Sequence, residues 1–234
     1  MNGRRVRNLT VSPALGLLVL GGALTGCSTG EAEPPVLASA PTKVDVGRVC
    51  AGLLEGEGGE ALKRVLESED FRIRDEGKNP DVRAVAQAMA DAYRSGGKIR
   101  DMPVPICEAV GSPKEAHTPT VRISFSAYSK LAGDPPDSPG AGDSGVRVAV
   151  EPKQFLLAYD CVSVRVGSTP ELPLRIRLRF QERWDESKGE AVLRPDYAAV
   201  THSAALAVAK GLGCVDGGGL PDRADGLPAP ATGT

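Results

Sequence analysis

The run "LRIRLRFQERW", Leu174 to Trp184, alternates side-chain character at almost every step. Leu174, Ile176, Leu178 and Phe180 fall on one parity, and Arg175, Arg177, Arg179 and Gln181 on the other. A period of two is that of a β-strand, whose successive side chains point to opposite faces. A lone strand leaves its backbone groups and its apolar face in water, so this segment demands partner strands and a cover for one face. Two neighbours qualify. In "TVRISFSAYS", Val121, Ile123, Phe125 and Ala127 alternate with Arg122, Ser124, Ser126 and Tyr128. "QFLLAYDCVSVRV" is apolar nearly throughout to Tyr159 and reads as a central strand. Phe155, Leu157, Tyr159 and Cys161 share one parity while Val162, Val164 and Val166 share the other, so a bulge near Asp160 is expected to restore a single apolar face. The loop "LAGDPPDSPGAGDSG" leads into a short edge segment at Val146 to Val150.

Ahead of these strands the period is helical. Asp45 is placed to cap a helix carrying Val46, Val49, Cys50, Leu53 and Leu54, and Gly56, Gly58 and Gly59 are expected to break it. A shorter helix is expected from Glu60 to Leu66. In "NPDVRAVAQAMADAYRSGG", Asn79 is the expected cap and Pro80 suits the first turn. Val82, Val85, Ala86, Met89 and Tyr93 form its apolar stripe. The last element, "PDYAAVTHSAALAVAKGLGC", carries no charge from Tyr197 to Ala209, and its Val200, Ala204 and Val208 suit tight packing on a sheet. Strands gathered in the second half with helices at both ends predict an α+β fold: an antiparallel sheet of three to four strands with helices packed on one face, braced by disulfides.

The start of the chain has a different logic. Arg4, Arg5 and Arg7 precede an apolar stretch from Val11 to Leu24, and Leu24-Thr25-Gly26-Cys27 follows. That stretch is shorter than the ~20 residues a membrane-spanning helix needs and has the order of an export signal. Its end resembles the lipobox of bacterial lipoproteins. The resemblance implies cleavage before Cys27, a diacylglyceryl group on its thiol, and lipid anchoring at the outer face of the plasma membrane. Two acyl chains are what stable anchoring needs. The expected organisation is residues 1–26 as signal peptide, 27–43 as lipidated N-terminus and flexible tether, 44–214 as one globular domain and 215–234 as a disordered tail rich in Gly, Pro and Asp.

Cys50, Cys107, Cys161 and Cys214 remain, an even number in an exported chain, which predicts two disulfides. Their wide spacing lacks the close pairs of a zinc site, and neither a metal nor a cofactor is expected. The count alone leaves three pairings open. Cys161 shares parity with Phe155, Leu157 and Tyr159, and Cys214 ends the helix assigned to that face, so the expected packing favours Cys161 with Cys214 and, by elimination, Cys50 with Cys107. Along the whole chain, "VCAGLLEGEGGEALKRVL", "AVAQAMADAYRSG", "YDCVSV" and "HSAALAVAKGLGC" resemble lipoproteins of Streptomyces and related actinobacteria. This resemblance implies compartment and disulfides, and no activity.

Candidate chemistry is sparse. The formal net charge of −2 would fall to about −5 on loss of the three signal arginines, which disfavours nucleic acid as a partner. His202 beside Ser203 lacks the orienting acid of a nucleophilic set, and His117 lies in a proline-rich turn. Asp134, Asp137 and Asp143 fail the spacing of a calcium loop. "EGEGGE" places acid where a phosphate cradle needs amides. Arg175, Arg177 and Arg179 should stand on one sheet face about 7 Å apart, joined by Arg122 and Arg165 if register allows. They read as a solvated outer face or as a site for an anionic envelope polymer, since guanidinium forks suit phosphate and carboxylate. Two functions are therefore weighed: a lipid-anchored, non-catalytic binding or interaction module with a polymer or protein partner, and an envelope enzyme acting on wall polymers through dispersed carboxylates.

Overall fold

The structure is a computed structural model and describes residues 43–50, 52–73, 81–95, 104–112, 118–129, 145–151, 153–183 and 190–230. The signal, the lipobox with Cys27, and the expected tether up to residue 42 lie outside the described residues, as do Asn79, Pro80, His117, Asp134, Asp137 and Asp143. The elements in chain order are β1 (Lys43–Val44), α1 (Val46–Val49), α2 (Glu57–Leu66), β2 (Phe71–Ile73), α3 (Val82–Arg94), β3 (Val104–Val110), β4 (Thr120–Ser129), β5 (Arg147–Glu151), β6 (Gln154–Cys161), β7 (Leu174–Arg183) and α4 (Glu190–Leu212). The strands form one antiparallel sheet in the order β1-β2-β3-β4-β7-β6-β5. The fold is α+β, as the change of period predicts.

The sheet is wider than the expected three to four strands. Five longer strands, β3 to β7, are extended by the two- and three-residue pieces β1 and β2. Strand β3 escapes sequence reading because "VPICEAV" has no clean alternation and contains a proline. The ladder's register shift falls there, between Pro105 and Cys107. No bulge occurs at Asp160: β6 pairs with β7 in continuous register from Gln154 to Cys161 and then ends. The parity change is absorbed by a turn instead, in which Gly167 N donates to Ser163 O (2.9 Å) and Ser163 N to Ser168 Oγ (2.9 Å). Val166 is buried there and Val164 is exposed.

Helices cover the face bearing Val121, Ile123, Phe125, Leu157, Tyr159, Ile176, Leu178 and Phe180, all fully or almost fully buried. Val200, Ala204 and Val208 form the buried row of α4, as its composition predicts. The Phe180 and Tyr197 rings meet at 4.8 Å between centroids, and the Tyr159 hydroxyl donates to Ala205 O at 3.3 Å. Helix α2 begins at Glu57, so Gly58 and Gly59 are helical rather than a break. The reason is packing: a Cβ on Gly58 would lie 2.3 Å from Ser203 Cβ of α4. Helix α3 is capped by Asp81, whose Oδ1 accepts from Ala84 N at 2.7 Å, in place of the expected Asn79.

Disulfides join Cys50 to Cys107 and Cys161 to Cys214, tying the α1 region to β3 and the end of α4 to the end of β6. The expectation of a disordered tail is corrected for residues 215–230, which fold back on the domain. Val215 N donates to Val162 O (2.8 Å), Leu220 is buried, and the His202 ring Nε2–H donates to Pro221 O at 2.7 Å. Composition missed this segment because its anchors are one leucine, backbone groups and glycines. Asp216, Gly217 and Gly218 are all left-handed (φ 48°, 62° and 73°), and a Cβ on Gly218 would meet the Tyr159 ring at 2.6 Å.

Candidate functional site

The arginine row lies on the sheet face opposite the helices and is not the open comb expected. Arg175 and Arg177 are 5% and 3% exposed, and Arg179 is half-buried. Flanking strands explain part of this. Arg177 sits across from Ser126 and Ala158, and its Nε donates to Ser126 Oγ at 3.1 Å. Arg175 pairs across to Asp160, whose carboxylate is 3.6 Å from Arg175 and 3.7 Å from Arg147. Arg122 joins the same face, bridged to Glu108 at 2.8 Å. Arg165 does not: it follows the end of β6 and approaches Gly211 O at 3.4 Å. These side chains are built into the sheet rather than laid on it, so a solvated outer row is the wrong description for Arg175 and Arg177.

His202 and Ser203 are adjacent in sequence but serve different contacts. His202 is buried, not on the surface, and holds the C-terminal segment through Pro221. Ser203 fastens the α1–α2 connection: its Oγ accepts from Glu55 N (3.3 Å) and lies 3.4 and 3.3 Å from the carbonyls of Leu53 and Glu55. Successive residues on a helix project about 100° apart, so the two side chains are directed to separate neighbours and form no dyad. Among the described residues no three His, Cys, Asp or Glu groups gather as a metal cluster, and no helix is long and apolar enough to cross a membrane.

A concave feature that combines charge with an apolar wall lies elsewhere among the described residues. A cleft of about 740 Å³ opens where the α1–α2 connection, the start of α3 and the last turns of α4 meet. Leu53, Val82, Leu206 and Ala207 supply its apolar wall, and Glu55, Asp81, Arg83 and Lys210 its exposed charges. Ser203, Leu206, Ala207 and Lys210 recur at the i, i+3, i+4, i+7 spacing of one helix face. Gly211 lets α3 and α4 approach at one end, since its Cβ would lie 3.2 Å from Ala86 Cβ. Glu55 sits beside Ser203, whereas Lys210 stands seven residues further along α4, roughly 10 Å away at 1.5 Å per residue. Arg83 belongs to the α3 start that packs near Gly211, so the cations gather at that end. None of Glu55, Arg83 and Lys210 is ion-paired with another described residue. Sequence reasoning missed this site because its residues come from three separate segments. The stripe on α4 was the one signal available.

Where charges do pair, the surface is ordinary. The Glu60 and Glu69 carboxylates hold the half-buried Lys63 ammonium above its usual range. The Asp196 carboxylate, accepting from Arg64 Nε and Nη2, does the same for Arg64. Burial raises the Tyr159 phenol well beyond the ordinary tyrosine value and raises Tyr93, whose hydroxyl donates to Leu172 O, less strongly. Compared with known proteins, the chain matches no family model, no curated protein and no solved structure.

Proposed function

We propose that this chain is a lipid-anchored extracytoplasmic protein of the cell envelope, held on the outer face of the plasma membrane through Cys27 and acting as a binding or interaction module rather than as an enzyme. The observation that carries the reading is the ordered series of basic residues, short apolar stretch and Leu24-Thr25-Gly26-Cys27. Two disulfides agree with it, because such bonds persist in oxidising compartments. The cleft supports binding: it falls within the usual size of small-ligand sites and combines an apolar wall with a few placed charges. Its one hydroxyl, on Ser203, is engaged with the α1–α2 backbone, and the neighbouring imidazole with Pro221. In this reading the partners are the bilayer and an anionic envelope polymer or protein.

Changing Cys27→Ser tests the anchor in cells. The variant should leave the membrane fraction or accumulate with its signal uncut, while the wild type stays with the membrane. Normal processing and full membrane retention of the variant would overturn the proposal.

A further inference from the structure

We infer that the cleft between the α1–α2 connection, α3 and α4 binds a short peptide with free termini, its ammonium end at Glu55 and its carboxylate end at Arg83 and Lys210. This rests on the reading of the chain as a binding module and names the class of ligand that its cleft takes, separate from any polymer or protein partner bound elsewhere on the domain. Three observations converge.

The first is charge order. Glu55, whose backbone is held by Ser203, lines one end with an exposed acidic side chain, and Arg83 and Lys210 line the other. All three are exposed and none is ion-paired with another described residue, so each can meet a ligand without first giving up a partner. Asp81 also lies at the cationic end, but its Oδ1 is committed to the Ala84 amide as the α3 cap. The thirteen-residue α3 begins here, and the partial positive charge at its N-terminus adds to the pull on an anion.

The second observation is length. Ser203 and Lys210 are separated by about 10 Å along α4, which is what three extended residues span at ~3.3 Å each. A single amino acid is too short to reach both ends. The third is the wall between them. Leu53, Val82 and Leu206 line it beside the small Ala207, Gly52 and Gly211, an apolar surface that suits a peptide with small side chains such as alanine. A uniformly anionic polymer would be repelled by Glu55, and a polyamine by Arg83 and Lys210.

Calorimetric titration of the full chain in detergent micelles with tri-alanine tests this, with N-acetyl-tri-alanine, tri-alanine amide and alanine as comparisons. Saturable binding of tri-alanine is expected at millimolar concentration or below, with each end-blocked form about fivefold weaker and alanine weaker still. Glu55→Gln should bind the acetylated and free peptides equally, and Lys210→Gln with Arg83→Gln should bind the amide and the free acid equally. Unchanged thermal unfolding of these surface variants shows that the fold is kept. Absence of saturable binding would overturn the inference, as would variants that still discriminate the blocked ends as the wild type does. The peptide is recovered after titration and its molecular mass measured. Cleaved peptide would leave the site assignment standing and sink the non-catalytic reading, whereas membrane release of Cys27→Ser is unaffected by either result.

Discussion

Arg177 and Arg183 lie on the same strand face and the same parity, yet one is buried and the other exposed. Alternation in the sequence showed which face each residue takes and nothing about what lies over it. The consequence is measurable. Arg177→Ala removes a buried hydrogen bond to Ser126 and should cost on the order of 2 kcal/mol in denaturant unfolding, while Arg183→Ala should stay within about 0.5 kcal/mol of wild type. Equal, small effects would return both arginines to an open row. Gly58 makes the opposite point about propensity. Glycine to alanine in a helix ordinarily gains up to about 1 kcal/mol, but here the added methyl would meet Ser203 of α4 and should cost roughly 1–3 kcal/mol overall. Tyr159 sets a pH limit. Its phenol is held neutral by burial, so the folded state keeps a proton that the unfolded chain loses above about pH 10. Because its folded value is raised, the stability tied to this group is full below that pH and falls as pH rises above it. Tyr159→Phe should therefore flatten the alkaline loss of stability, followed by unfolding titrations above pH 10 alongside tyrosinate absorbance.

At the scale of elements, legibility followed periodicity. Strands β4, β6 and β7 and the contact row of α4 carry clean patterns and were readable; β3, with Pro105 and an irregular register, was not. The expected bulge at Asp160 was a sound inference from parity with the wrong remedy, since a strand can also end. The C-terminal segment is the larger lesson. Its twenty residues look unable to bury anything, yet a disulfide, one imidazole and a run of left-handed residues hold residues 215–230 against α4 and β6. Gly218→Ala, strained in φ and blocked by the Tyr159 ring, should speed amide exchange across 215–230 while leaving β4 and β7 protected. Exchange unchanged in that segment would mean that the glycine is not what seats it. Replacing Cys161 and Cys214 by serine opens a closure with a sequence separation of 53 residues and should cost about 4 kcal/mol in the chain-entropy model.

For the molecule as a whole, the domain is a sheet with helices on one face, bolted at two corners by cysteine pairs and bearing a charged cleft between helices. The fold class and the cysteine pairs were legible because periodicity and parity are local signals that survive without coordinates. The cleft was not, because Glu55, Arg83 and Lys210 belong to segments that only the tertiary fold brings together. The proposed function rests on the other end of the chain, where the resemblance of Leu24-Thr25-Gly26-Cys27 to a lipobox would place a lipid anchor, and with it the domain, beside the membrane. The most direct measurement is the mass of the N-terminal peptide of protein extracted from membranes of a bacterial cell expressing the full chain. The account predicts a chain that starts at Cys27 with a diacylglyceryl group on its sulfur. A chain whose Cys27 is unmodified, or that begins at another residue, would contradict it.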